Sequence, residues 1–226
     1  MAQQTASIDH EHQSYLGHHY DTMEQQHGAN TLGMWAFLVT EVLLFGGMFA
    51  AYFMYRAIYP QAFIEGSHHN NLVLGSINTI VLLLSSFLVA LGVRSTQVGN
   101  RRLLMLCLAG TIVLGAVFLG IKGAEYYDHY LSGQVPGVLF EYEGTTPGIA
   151  KQVELFLVLY FTMTATHALH MIIGMAIMGF LLYKAWQGRY GTEYFTPVEL
   201  GGLYWHFVDL IWVLLFPMLY LISRHG

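Results

Sequence analysis

The stretch Tyr204-Trp205-His206-Phe207-Val208-Asp209-Leu210-Ile211-Trp212 sets an imidazole and a carboxylate three residues apart inside the last apolar run of the chain. On a helix that spacing puts both on one face. A charge at the centre of a bilayer costs roughly 2.5 to 3.5 kcal/mol on insertion scales, so a face bearing His206 and Asp209 belongs against protein. The expectation is that Asp209 accepts a hydrogen bond from His206 in a helix that crosses lipid.

The rest of the chain fits that setting. Apolar residues make up 55% and charged residues 10%, against about 25% charged in a soluble domain. Long uncharged runs alternate with short polar ones, which is the pattern of several membrane spans. Five are expected, over about Thr31 to Tyr55, Asn71 to Val93, Arg102 to Ile121 or a little beyond, Val153 to Tyr183, and Leu200 to Ile222. Each has the ~20 residues that a hydrocarbon core of ~30 Å requires. The fold class is therefore an all-α integral membrane protein, a bundle of five transmembrane helices (31–226) behind a polar, His-rich N-terminal tail (1–30).

The tail carries His10, His12, His18, His19 and His27 but no Lys or Arg. It lacks the basic region of a secretory signal, so the first apolar run is expected to stay as a span. Lone Cys107 rules out a disulfide framework within the chain. The net charge is −5 with no basic patch, so nucleic acid is not an expected partner. Loop cations set the orientation. Arg94, Arg101, Arg102, Lys184 and Arg189 fall on one side, and Arg56, Lys151 and Arg224 on the other. This places the N-terminus in the cytoplasm and the C-terminus outside, with the acidic loop from Asp128 to Gly148 (Glu141, Glu143) also outside. Gly46 with Ala50, Gly47 with Ala51, and Ala116, Gly120 and Ala124 have the spacing that lets helices approach closely in lipid. No internal repeat is visible, which disfavours a transporter of inverted halves.

The polar residues at membrane depth are Glu41, Lys122 with Glu125, His167 with His170, and His206 with Asp209. Glu41 has two readings, a proton-handling carboxyl or an interhelical hydrogen-bond donor. Lys122 and Glu125, three apart, suit an intrahelical ion pair, with Lys122 also able to snorkel to the headgroups. His167 and His170 are the metal suspects. A site would need further ligands from other helices, and no Glu-x-x-His or second His pair supplies them, so hydrogen bonding across helices is the favoured role. At 1.5 Å per residue, Glu41, His170 and Asp209 fall at one depth, where a carboxylate could accept from an imidazole.

Four motifs carry a family resemblance. They are Thr40-Glu41-Val42 with the Phe-rich run to Tyr52; Ser76-Ile77-Asn78-Thr79; Gly123-Ala124-Glu125-Tyr126-Tyr127; and Thr166-His167-Ala168-Leu169-His170 through Gly174 together with Tyr204 to Asp209. In that order they resemble subunit III of the haem–copper oxidases, the cytochrome c oxidase subunit 3 family, in its short five-helix bacterial form. Longer members have seven spans, with lipids in the cleft between two arms; the first two spans have no counterpart here. The resemblance implies a non-catalytic subunit of an aerobic proton-translocating terminal oxidase in the bacterial inner membrane. Subunits I and II would be its partners and would hold the haem and copper, with none in this chain. Membrane lipid is a further partner, and bound phospholipid is possible. It also implies support of proton uptake and stability of the oxygen-reducing core. Glu41, where quinol-oxidase relatives often have a shorter acid, favours cytochrome c as the donor. The alternatives are subunit III of a quinol oxidase, an accessory protein of nitric oxide reductase, a haem protein ligated by His167, His170 or His206, and a proton-coupled transporter using Glu41 and Asp209.

Overall fold

The computed structural model describes residues 20–68, 70–137, 140, 146–192 and 194–221. Tail histidines 10, 12, 18 and 19, the loop acids Glu141 and Glu143, and Arg224 lie outside them. Among the described residues the fold is all helical: α1 (Met23–Ile58), α2 (Pro60–Ser67), α3 (Leu72–Gln97), α4 (Arg101–Leu131), α5 (Ala150–Trp186) and α6 (Thr196–Tyr220). All but α2 are long and apolar enough to cross a membrane.

Several helices outrun their apolar stretches. α1 begins at Met23, ahead of Thr31, because the Thr22 side chain accepts from the Gln25 amide and Glu24 sits in the first turn. Both features satisfy the positive end of a helix. At 36 and 37 residues, α1 and α5 are about 54 and 56 Å long, so each overhangs the hydrocarbon. Hydropathy marks where lipid begins; caps mark where the helix does. His27 sits on α1 rather than in a loose tail, with its Nδ1 3.2 Å from Thr196 Oγ1. That contact puts the starts of α1 and α6 on one side.

α3, α4, α5 and α6 form the compact part: α4 packs between α3 and α5, and α6 closes against α3 and α5. Trp205 and Trp212 are fully buried at its centre. α1 is attached more lightly, along Leu38, Phe45 and Tyr52, its three buried residues. Their seven-residue spacing makes a single seam. Off that seam α1 shows Leu32, Val39, Val42 and Leu43 at 55% exposure or more, a surface suited to lipid or a partner and not to water.

Side chains close the helix ends. Tyr52 on α1 donates to the Met218 carbonyl, and Asn70 Nδ2 donates to the Leu219 carbonyl at 2.9 Å. These are last-turn carbonyls of α6 that have no donor within the helix. Arg101 does the same for α5, donating through Nε to Ala185 O at 2.8 Å and through a second nitrogen to Trp186 O. The short α2 tucks Phe63 between Tyr52 and Phe156, with ring centroids 5.2 and 5.3 Å away.

The closest helix contacts are not at the expected small-residue pairs. A Cβ added at Gly46, Gly47 or Gly120 would meet nothing within 4 Å, so these face outward. A Cβ would be tightest at Gly66, against the Phe156 ring, then at Gly201 and Gly110, 2.6 and 2.8 Å from the Leu181 and Leu88 side chains, and at Gly174 and Gly115 it would stand 2.9 and 3.0 Å from the Trp205 ring. Small residues here make room for large side chains, the Trp205 indole among them, rather than for a neighbouring backbone.

Candidate functional site

Each polar residue singled out at membrane depth lies at a helix junction, and all but His167 fall into three groups. The first joins α1 to α5. Glu41 Oε2 lies 2.9 Å from His170 Nε2, with side chains 15% and 10% exposed. The other ring nitrogen, Nδ1, is 2.8 Å from the Thr166 carbonyl oxygen. A carbonyl only accepts, so Nδ1 carries hydrogen and donates to it. That leaves one proton for the Glu41–His170 contact, either on Nε2 as an imidazolium facing carboxylate or on the carboxyl donating to a bare Nε2. Phe45 packs edge-on against the imidazole at 5.3 Å, and the Tyr204 hydroxyl donates to the His170 carbonyl at 3.1 Å. The pair can therefore hold one proton in an aromatic, water-poor setting.

The second group joins α4, α5 and α6 around Lys122, which is 4% exposed. Its ammonium donates to Glu125 Oε2 at 3.0 Å, Tyr160 Oη at 3.1 Å and Tyr220 Oη at 2.8 Å. Three N–H groups meet three acceptors. Both tyrosines in turn donate to Glu125 Oε1, at 2.9 and 2.5 Å. The ring of bonds is closed and neutral. Trp212 lies 5.2 Å from Nζ and Tyr126 5.5 Å, adding aromatic faces to the cation. The i, i+3 ion pair is present, but Lys122 does not snorkel: two tyrosines from other helices satisfy it inside. Neither tyrosine stood out in the sequence, since aromatics near span ends are commonplace.

The third group is the α3–α6 contact. Trp205 Nε1 donates to Ser85 Oγ at 3.0 Å and Trp212 Nε1 to Thr79 Oγ1 at 3.1 Å. Each hydroxyl spends its own proton on a carbonyl of its helix, Leu82 or Gly75, which frees its oxygen to accept. His206 Nδ1 pairs with Ser86 Oγ at 2.6 Å. This corrects the expectation for His206: its partner is Ser86, not Asp209. Three residues along a helix turn the direction by about 60°, and the register with α3 brings Ser86 to the imidazole. Asp209 is 3% exposed, and neither of its oxygens has a hydrogen-bond partner in the protein.

His167 and His170 diverge. His170 turns to Glu41, whereas His167 is wedged between Phe118 and Trp212, with ring centroids 5.5 and 5.3 Å away, and neither of its ring nitrogens has a partner. Among the described residues no three His, Cys, Asp or Glu side chains converge on a point. His167 and His170 therefore do not converge on one ligand position.

The family model for cytochrome c oxidase subunit III matches residues 3–224. The chain belongs to that family. Individual relatives agree. Cytochrome c oxidase subunit 3 of Thermostichus vulcanus is 35% identical over 194 residues, 85% of this chain and 87% of that one. Cytochrome bo(3) ubiquinol oxidase subunit 3 of Pseudomonas aeruginosa is 27% identical over 208 residues, 92% of each. A heme-copper oxidase subunit I+III of Aeropyrum pernix is 30% identical over 195 residues, 84% of this chain and 22% of that one. The chain is thus a multi-pass subunit III of the haem–copper oxidase type, and relatives of both electron-donor classes share its sequence.

Proposed function

We propose that this chain is the subunit III of a cytochrome c oxidase in a bacterial inner membrane, a stabilising and proton-supplying neighbour of the catalytic core that holds no redox centre itself. The observation that carries the reading is the allocation of the buried polar groups. Glu41, Lys122, Glu125, His170 and His206 are bonded across or within helices, which suits a scaffold. In the complex, subunit I would lie beside this chain, and the fusion of subunits I and III in the Aeropyrum pernix relative supports that pairing. Haem and copper would belong to subunits I and II. Lipid would cover much of the exposed apolar face of α1, the polar stretch 1–30, whose last eight residues are the start of α1, would face the cytoplasm, and the C-terminus the outside.

Within this assembly Glu41 and His170 form a one-proton store at membrane depth, and Glu125, His167, His206 and Asp209 complete the polar interior that keeps the bundle in register. Cytochrome c as the donor is supported by the 35% identity to the Thermostichus vulcanus subunit, against 27% for the ubiquinol oxidase subunit of Pseudomonas aeruginosa. The second reading is a quinol oxidase subunit, favoured by relatives such as quinol oxidase subunit 3 of Bacillus spizizenii, 30% identical over 203 residues. Oxygen uptake by the purified complex decides between them. Turnover with reduced cytochrome c and a copper signal from subunit II support the proposal; turnover with quinol alone overturns the donor assignment.

A further inference from the structure

The bonds Ser85–Trp205, Ser86–His206 and Thr79–Trp212 fix the antiparallel register of α3 and α6. Asp209 on α6 sits within that bracket and Asn78 on α3 one residue beyond its Thr79 end, 3% and 0% exposed. All four of their polar side-chain atoms, the two carboxyl oxygens of Asp209 and the amide oxygen and nitrogen of Asn78, are buried without a protein hydrogen-bond partner. Ser86 is the one side chain whose hydroxyl approaches the Asp209 carboxyl; it is already paired with His206 at 2.6 Å and has a single proton, so it can donate at most one bond. Buried polar groups in folded proteins are almost all bonded, to protein or to ordered water.

The register says what can reach them. It sets Asp209 level with Leu82, and Asn78 level with Val213. The two side chains are then offset by about four residues, or ~6 Å along the axis. That is beyond a direct bond of about 2.9 Å and is the span of a short hydrogen-bonded chain of water. A groove lined by Ala90, Val93, Glu199, Gly202, Leu203 and His206 opens on α3 and α6. His206 lines that groove and bonds Ser86, beside Asp209.

We propose that Asn78 and Asp209 hold internal water in the seam between α3 and α6, loaded through the groove at His206. The ligand is water, two to four hydrogen bonds per molecule being its normal complement in a polar interior. Bound there, it supplies the Asp209 carboxyl with hydrogen bonds beyond the single one the Ser86 hydroxyl could donate. The inference concerns this chain alone and holds whichever donor the oxidase uses.

A density map of the intact oxidase, at a resolution that shows ordered water elsewhere in this bundle, tests it. The expected result is water oxygens within hydrogen-bond distance of both Asp209 and Asn78. A dry seam in such a map, or a direct Asn78–Asp209 bond, overturns the proposal. Asn78→Leu, a swap of similar volume, reads the same question through stability. If the amide binds water, the substitution lowers the melting temperature of the complex, by roughly 2 to 4 °C per bond-equivalent lost. If the amide is dry and unpaired, the substitution raises it, because an unsatisfied polar group has been removed.

Discussion

Replacing Lys122 by Met probes the closed ring that ties α4, α5 and α6 together. The substitution keeps the side-chain length but deletes three hydrogen bonds and the cation opposite Glu125. Glu125 keeps its two tyrosine donors and loses its counter-charge in a site 3% exposed. Breaking a buried pair by removing one member costs about 3 to 5 kcal/mol. For a chain of this size that corresponds to a fall in melting temperature on the order of 6 to 20 °C. Removing both charges, in Lys122→Met with Glu125→Gln, leaves a neutral amide able to accept from the tyrosines. The double variant should therefore lie closer to the parent than Lys122→Met does. The single cysteine supplies the assay. Cys107 is free and 2% exposed, so a thiol-reactive fluorophore lights up as the bundle opens on heating. A single variant that melts within about 2 °C of the parent would refute the argument, because it would put the ring's contribution below 1 kcal/mol. A double variant whose loss is the sum of the two singles would refute the coupling.

Three further outcomes follow from other contacts. Glu41→Gln should leave the haem content of the purified complex unchanged and keep α1 docked, since an amide can still donate to His170 Nε2. Glu41→Leu should instead loosen α1 by about 1 to 3 kcal/mol, seen as faster backbone hydrogen exchange in α1 with α4 unaffected; equal exchange in the parent and Glu41→Leu would contradict this. Tyr52→Phe strips the donor from the Met218 carbonyl and should cost about 0.5 to 1.5 kcal/mol, with fraying confined to the end of α6. Gly174→Ala forces a Cβ to within 2.9 Å of the Trp205 ring and should destabilise by about 1 to 3 kcal/mol, whereas Gly46→Ala, facing open space, should be neutral or better in a thermal melt.

How far the fold could be read from the sequence depended on which force set each feature. Desolvation of long apolar runs is a one-dimensional signal, and it located all five spans. The i, i+3 rule likewise foretold the Lys122–Glu125 pair, because both partners lie on one helix. Helix ends were missed where a cap such as Thr22 carried α1 beyond its apolar stretch. Partners on other helices were the least legible. Ser86, Thr79 and Ser85 are ordinary hydroxyls until the α3–α6 register sets them against His206, Trp212 and Trp205. The same register left Asp209 without His206, although both lie on one helix. Shared depth did foreshadow the meeting of Glu41 and His170, since 1.5 Å per residue locates a side chain along the membrane normal even when its azimuth is unknown. Spacing of small residues misled for the complementary reason: a period says nothing about which face is inside.

The central claim is that this chain is a non-redox scaffold within a haem–copper oxidase. It is tested most directly by isolating the chain from its native membrane through an affinity tag, under mild detergent. The co-purified proteins are then identified, and optical spectra are recorded before and after stripping this chain away. Subunits I and II are expected to accompany it, with every haem and copper signal staying with them once it is removed. A haem or copper signal that leaves with this chain, or a chain that purifies without oxidase subunits, would contradict the claim.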